Sequence, residues 1–330
     1  MRRADAASGP ADQGWGYERT RAMIEASNLT KRYGDKTAVD DLSFTIRPGI
    51  VTGFLGPNGA GKSTTMRMIM GLDAPTSGSV TVNGRRYAEH AAPLHEVGAL
   101  LEAKAIHTGR SARNHLLALA ATTGIGARRV DQVIDLVGLH EVARKRAGGF
   151  SLGMGQRLGI ASALLGDPAT VLLDEPVNGL DPEGILWIRN LLKGLAAEGR
   201  TVFVSSHLMS EMALTAEHLI VVGRGKLIAD TSVEDFTRSA SRNLVRVRSP
   251  HADKLRGLLL GPDVTVDSIE PGTLEVTGLD SDRIGTVAAE NGVTLFELAP
   301  QQASLEEAFM ELTRDAVEYH ATTQVAGSVA

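Results

Sequence analysis

The chain has 330 residues, 43% of them hydrophobic and 22% charged, a balance that supports a packed core and excludes a largely disordered protein. Its formal charge of −5 argues against a protein that holds duplex nucleic acid through phosphate contacts, so no nucleic-acid partner is expected. With no cysteine, disulfides, thiolate zinc sites and cysteine nucleophiles are excluded, and any metal must sit on oxygen or imidazole. The length suits one large α/β domain with a smaller one beside it.

Residues 1–22 mix Arg2, Arg3, Asp5, Asp12, Glu18, Arg19 and Arg21 with Gly and Ser and lack the apolar region of a secretory signal, so a disordered tail is expected there. From Met23 short apolar runs alternate with turn signals; 50–55 reads as a buried strand ending in a Gly-rich turn, 64–70 as a helix closed by Gly71, and 78–84 as a short strand bounded by glycines. Between about 90 and 163 apolar residues recur at helical spacing, as at Leu116, Leu117, Leu119 and at Val130, Val133, Ile134, Val137, which predicts a helical insertion. Strand signals at 170–173 and 201–205 flank a helix near 182–197, the rhythm of a parallel sheet. The large domain is thus expected over 23–235. A small α+β domain follows over 240–316, with a helix beginning at Ser304, and a flexible tail over 317–330. Apolar stretches such as the one ending at Val171-Leu172-Leu173 are cut short by Asp174 and Glu175, well below the roughly 20 residues a membrane-spanning helix needs.

The chemistry begins at Gly56-Pro57-Asn58-Gly59-Ala60-Gly61-Lys62-Ser63, followed by Thr64, which fits G-x-x-x-x-G-K-[ST] in the strand-then-helix context that motif requires. Its glycines let consecutive backbone N–H groups face phosphate oxygens, a helix starting near Lys62 adds its positive dipole end, Lys62 reaches the β- and γ-phosphates, and Ser63 offers a hydroxyl to Mg²⁺. Downstream, Asp174 ends an apolar strand where a Mg²⁺ carboxylate of a P-loop protein emerges, and Glu175 directly after it suits a group that takes the proton of the attacking water. A nucleoside triphosphate and Mg²⁺ are the ligands this pattern calls for.

These motifs occur in many NTPases; Phe150-Ser151-Leu152-Gly153-Met154-Gly155-Gln156-Arg157 separates them. Here the chain resembles the ATP-binding cassette (ABC) family over about residues 24 to 230. The segment is similar to that family's signature, with Ser151 and Gly153 retained, Leu152 in place of the first glycine and Met154 in place of the glutamine; by itself a Ser-Leu-Gly before a helix is an ordinary N-cap. Asn178-Gly179-Leu180-Asp181 is similar to the family's D-loop, Ser205-Ser206-His207 to its switch-histidine segment, and Tyr33 to the aromatic that stacks on adenine. Where the family has a glutamine, 97–101 leads instead to Glu102, a carboxylate that the resemblance brings towards Mg²⁺ or water.

The resemblance implies an α/β P-loop NTPase core with a helical insertion plus a small C-terminal α+β domain. It also implies two cassettes closing head to tail on two ATP molecules, with the Ser151 and Gly153 region of one copy meeting the phosphate held by Lys62 of the other, and it puts Asp181 among the cofactor-binding residues. Catalysis would rest on Glu175, His207 and Lys62. A separate transmembrane permease would receive the work at the cytoplasmic face of the membrane, and similarity to ATPase subunits of bacterial daunorubicin and bacitracin exporters favours drug export. Two readings remain beside this one, a non-transport ABC ATPase and a nucleotide-gated scaffold on a cytoplasmic complex.

Overall fold

The computed structural model describes residues 23–102, 105–240, 244–301 and 304–313, so the expected terminal tails at 1–22 and 317–330 lie outside it. The chain opens with an antiparallel pair, β1 (Ile24–Tyr33) and β2 (Lys36–Ile46). β3 (Val51–Leu55), buried at all five positions, runs through the Gly-rich turn into α1 (Lys62–Ile69), and β4 (Ser77–Val82) returns to pair with β1. Then come α2 (Pro93–Glu96), β5 (Val97–Leu100), α3 (Ala112–Ala121), α4 (Ala127–Leu136), α5 (Leu152–Leu164), β6 (Thr170–Asp174), α6 (Pro182–Ala197), β7 (Thr201–Ser206), α7 (Met209–Thr215), β8 (His218–Gly223), β9 (Lys226–Ser232) and α8 (Val233–Ala240).

Six of these strands form one sheet in the order β5-β6-β7-β3-β8-β9, parallel except for β9. Strands of such a sheet are covered on both faces and so read as continuous apolar runs, with successive side chains going to opposite sides. On one side Phe54, Leu172, Phe203 and Ile220 meet the three-stranded β2-β1-β4 sheet, where the rings of Phe44, Phe54 and Phe203 stack with centroids 5.0–6.1 Å apart. On the other side Val51, Leu55, Val171, Leu173, Val202 and Val204 bury against helices that include α5 and α6. The Gly-rich turn therefore sits at the C-terminal end of a central strand, the edge of an open α/β sheet where ligands bind.

The helical stretch begins later than its periodicity predicted. Val97–Leu100 is the edge strand β5, paired with β6, and Gly98 within it leaves no room for a Cβ against the Ala163 carbonyl of α5. Only α3, α4 and α5 make up the helical insertion, joined by buried Leu116, Val130, Val133, Ile134 and Leu158.

The C-terminal part contains β10 (Leu244–Arg248), α9 (Ala252–Leu259), β11 (Thr265–Glu270), β12 (Thr273–Thr277), α10 (Ser281–Glu290) and β13 (Glu297–Gln301). Its fully antiparallel sheet has the order β11-β12-β10-β13, which with the β-α-β-β-α-β chain order is the ferredoxin-like arrangement. Val245, Val247, Leu255, Leu274, Val276 and Ile284 give it a core of its own. The last helix, α11 (Leu305–Thr313), does not join that core: Leu305, Ala308 and Phe309 bury in the cluster of the large domain with Phe236 of α8. Expected as part of the C-terminal domain, α11 instead ties the chain end back to α7 and α8. No helix among the described residues is long and apolar enough to cross a membrane.

Candidate nucleotide site

The Gly-rich turn is shaped by its contacts with β2. Gly61, the residue before α1, has φ 100°, and a Cβ there would stand 2.5 Å from the Ala38 carbonyl, so only glycine fits both the left-handed backbone and the space. The turn delivers Lys62 into the interior, 7% exposed, with Nζ donating to the Gly56 carbonyl at 2.6 Å and to the Pro57 carbonyl at 3.3 Å. Burial pushes the Lys62 ammonium below the ordinary lysine pKa, opposed by the attraction of Glu175 and Asp174. A buried cation held by carbonyls and aimed at two acids is a ready partner for polyphosphate.

A cavity of about 570 Å³ opens over this turn, lined by residues 57–64 together with Tyr33, Asp174 and Glu175. Ser63 Oγ donates to Asp174 Oδ2 at 2.7 Å, which joins α1 to the end of β6. A hydroxyl and a carboxylate side by side are hard oxygen donors of the kind Mg²⁺ takes, and they fit it. Among the described residues no group of three or more His, Asp or Glu could hold an ion, so a cation here would complete its shell with phosphate oxygens and water. Glu175 has φ 51°, a left-handed conformation that costs a non-glycine residue about 1–2 kcal/mol. That turn carries its carboxylate back to His207, whose Nδ1 lies 2.7 Å from Glu175 Oε2 and whose backbone N–H donates to the same oxygen at 3.3 Å.

Tyr33 stands at the cavity's other end, 49% exposed, with Oη donating to Asp73 Oδ2 at 3.0 Å and Lys31 Nζ 4.9 Å from the ring centroid. The Arg67 guanidinium grips Asp73 through Nε at 2.8 Å and Nη2 at 3.3 Å and holds that carboxyl below the usual carboxylate range. The same guanidinium accounts for Glu102. The Glu102 carboxylate is 72% exposed and faces Arg67 Nη1 at 4.0 Å, while Leu101 rather than Glu102 lines the cavity. The structure thus does not bring Glu102 to Ser63 and Asp174; its carboxylate stands in solvent beside Arg67.

Ser151 and Gly153 lie beside this cavity rather than in its wall, Ser151 capping α5 and Gly153 in its first turn, and the exposed Ser151 accepts from the Met154 N–H at 3.2 Å. Leu152 and Gln156 of the same segment do line it, and Leu152 packs over Gly179. Asp181 caps α6 by accepting from the Gly184 N–H at 2.8 Å, and its neighbour Asn178 lines the cavity. Residues to which the sequence gave no role are Gln156, whose Nε2 donates to the Glu175 carbonyl at 3.2 Å, and Ser205, whose hydroxyl donates to the Asp174 carboxylate and accepts from the Glu175 backbone N–H. The only signal for either was its place inside a recognised segment.

Comparison with known proteins agrees with this geometry. The family model described as "ABC transporter" matches residues 39–178, and one described as a domain of unknown function matches 243–306. The chain is 35% identical over 299 residues to the bacitracin transport ATP-binding protein BcrA of Bacillus licheniformis, an alignment covering 88% of this chain and 97% of that one. It is 31% identical over 306 residues to the linearmycin resistance ATP-binding protein LnrL of Bacillus subtilis, covering 88% and 98%. A dimeric post-hydrolysis structure of the ATP-binding cassette MJ0796, bound to ADP and Pi, superposes with a TM-score of 0.59 at 25% identity, covering 64% of this chain and 98% of that one. A P-loop, a carboxylate pair and a bonded histidine around one cavity, on a chain that aligns with such relatives over nearly their whole length, place this protein in the family of ABC transporter ATP-binding proteins.

Proposed function

We propose that the chain hydrolyses ATP as one of two cassettes that drive a separate membrane permease exporting antibiotic-like amphipathic molecules from the cytoplasmic face. The observation that carries the hydrolytic part is the convergence of Lys62, Ser63, Asp174 and Glu175 on one cavity, with His207 bonded to Glu175. Lys62 and the N–H groups at the start of α1 meet the β- and γ-phosphates, and Tyr33 gives the adenine a stacking face. Ser63 and Asp174 hold Mg²⁺, which when bound supplies positive charge against the phosphate oxygens. Glu175 takes the proton of the attacking water while His207 keeps that carboxylate in place. The Ser151 and Gly153 end of α5 serves the second copy: exposed at a helix N-terminus, it offers donors and a positive dipole end to the phosphate held by the partner.

The exporter assignment is supported by the names of the relatives, which include bacitracin and lantibiotic transport proteins and a linearmycin resistance protein. It is tested by purifying the chain from its own cells in mild detergent, identifying what co-purifies and measuring phosphate release. A multi-span membrane protein and ATP turnover uphold the reading. A ribosomal or DNA-bound partner overturns the transport part, and ATP binding with no phosphate release supports a nucleotide-gated scaffold.

A further inference from the structure

Ser205 is fully buried near the end of β7, after the apolar run Val202, Phe203 and Val204. Its hydroxyl is spent on the Asp174 carboxylate and the Glu175 backbone N–H. β6 and β7 pair in parallel, and Asp174 opposite Ser205 is the last rung of that ladder. Ser205 Oγ has one proton, which it donates to Asp174 Oδ1, and a lone pair that accepts the Glu175 N–H at 2.9 Å. The Asp174 carboxylate thus receives a hydroxyl on each oxygen, Ser63 on Oδ2 and Ser205 on Oδ1. The bond to the Glu175 N–H extends the pairing one residue past the ladder and pins Glu175 in its left-handed conformation. Two residues on, His207 takes hold of the carboxylate of that same Glu175. The adjacent hydroxyl, Ser206, does something else and accepts from the Leu208 N–H at 3.0 Å.

We propose that Ser205 is a positioning residue for ATP hydrolysis: its hydroxyl sets the Asp174 carboxylate for the metal and the Glu175 backbone for the water. The inference rests on the hydrolytic reading above and deepens it. Outer partners of this kind change metal affinity or activity about 10- to 100-fold when removed. Ser205→Ala is therefore expected to lower kcat by about that factor while the KM for ATP moves less than about twofold. A measurement independent of turnover accompanies it, the Mg²⁺ concentration at which a fluorescent ATP analogue half-saturates the chain, which rises in Ser205→Ala. Ser205→Thr and Ser205→Val have nearly the same shape and differ by the hydroxyl, so Thr is expected to keep most of the Mg²⁺ response and turnover and Val to lose both. An unchanged Mg²⁺ midpoint in Ser205→Ala, or equal behaviour of Thr and Val, overturns the proposal. Absence of turnover in the wild-type chain would instead refute the hydrolytic reading, and the Mg²⁺ midpoints would still decide whether Ser205 positions Asp174.

Discussion

Replacing Glu175 by Gln removes one ionisable oxygen and changes almost nothing else. The residue is turned inward by its left-handed backbone, its Oε2 accepts from His207 twice, and its N–H is held by Ser205. A Gln amide oxygen can still accept from the His207 backbone N–H, and the contacts of Lys62 and Ser63 are untouched, so folding and ATP binding are expected to survive. What disappears is the group that takes the water's proton. General-base assistance is worth about 10²- to 10⁴-fold, which at 1.36 kcal/mol per tenfold is about 2.7–5.4 kcal/mol of barrier. Phosphate release should fall by that factor while a fluorescent ATP analogue binds within about threefold of the wild type. Because bound ATP is then not cleaved, the paired cassettes should also accumulate as an ATP-bridged dimer in size-exclusion chromatography. A Glu175→Gln chain that releases phosphate within threefold of the wild-type rate would refute the assignment of Glu175 as the base, whatever the dimer does.

Lys62→Met should weaken ATP binding more than tenfold, since it removes the only buried ammonium facing the cavity among the described residues. Burial depresses the Lys62 pKa, so the charged lysine costs the unliganded fold stability that is regained as pH rises from the depressed value towards about 10.4. Polyphosphate favours the ammonium, so ATP affinity should fall as pH rises through that depressed value, and a binding curve that stays flat up to the ordinary lysine pKa would contradict the argument. Tyr33→Ala should cost about 1–3 kcal/mol of nucleotide binding, whereas Tyr33→Phe keeps the ring, loses the bond to Asp73 and should bind nearly as wild type. Phe309→Ala empties a site 8% exposed between α11 and the large domain and should destabilise it by about 3 kcal/mol, read as a lower Tm of the nucleotide-stabilised transition. A melt in which that transition stays put would mean that α11 does not brace the large domain.

The site is held together by pairings across long stretches of chain. Ser63 and Asp174 are 111 residues apart, Glu175 and His207 are 32 apart, and Tyr33 and Asp73 are 40 apart. The first two are brought to one edge because β7 lies between β6 and β3 in the six-stranded sheet, while Tyr33 comes from β1 of the three-stranded sheet. The ends of β3, β6 and β7 therefore present the lysine, the two acids and the histidine in a row, and the β-turn-helix at the centre supplies the N–H groups.

Features that local chemistry dictates could be read directly from the residues. Residues 56–63 are contiguous and their donors are backbone groups, so the loop's conformation and its appetite for phosphate follow from glycine placement alone. The strand before Asp174, the Asp181-Pro182 start of α6 and the apolar runs of β3 and β7 were legible for the same reason. The remaining features depend on contacts between distant segments. Val97–Leu100 is too short to carry a period, and it is a strand because β6 lies alongside it. The amphipathic face of α11 called for burial without naming a surface, and α7 and α8 supplied it in place of the neighbouring ferredoxin-like sheet. Glu102 pointed to the metal by its position in the chain, yet its carboxylate lies in solvent beside Arg67, a residue of α1. Ser205 became part of the site through the register of β6 against β7, because a parallel pairing one residue out of step would send its hydroxyl to the other face and leave both acids without it.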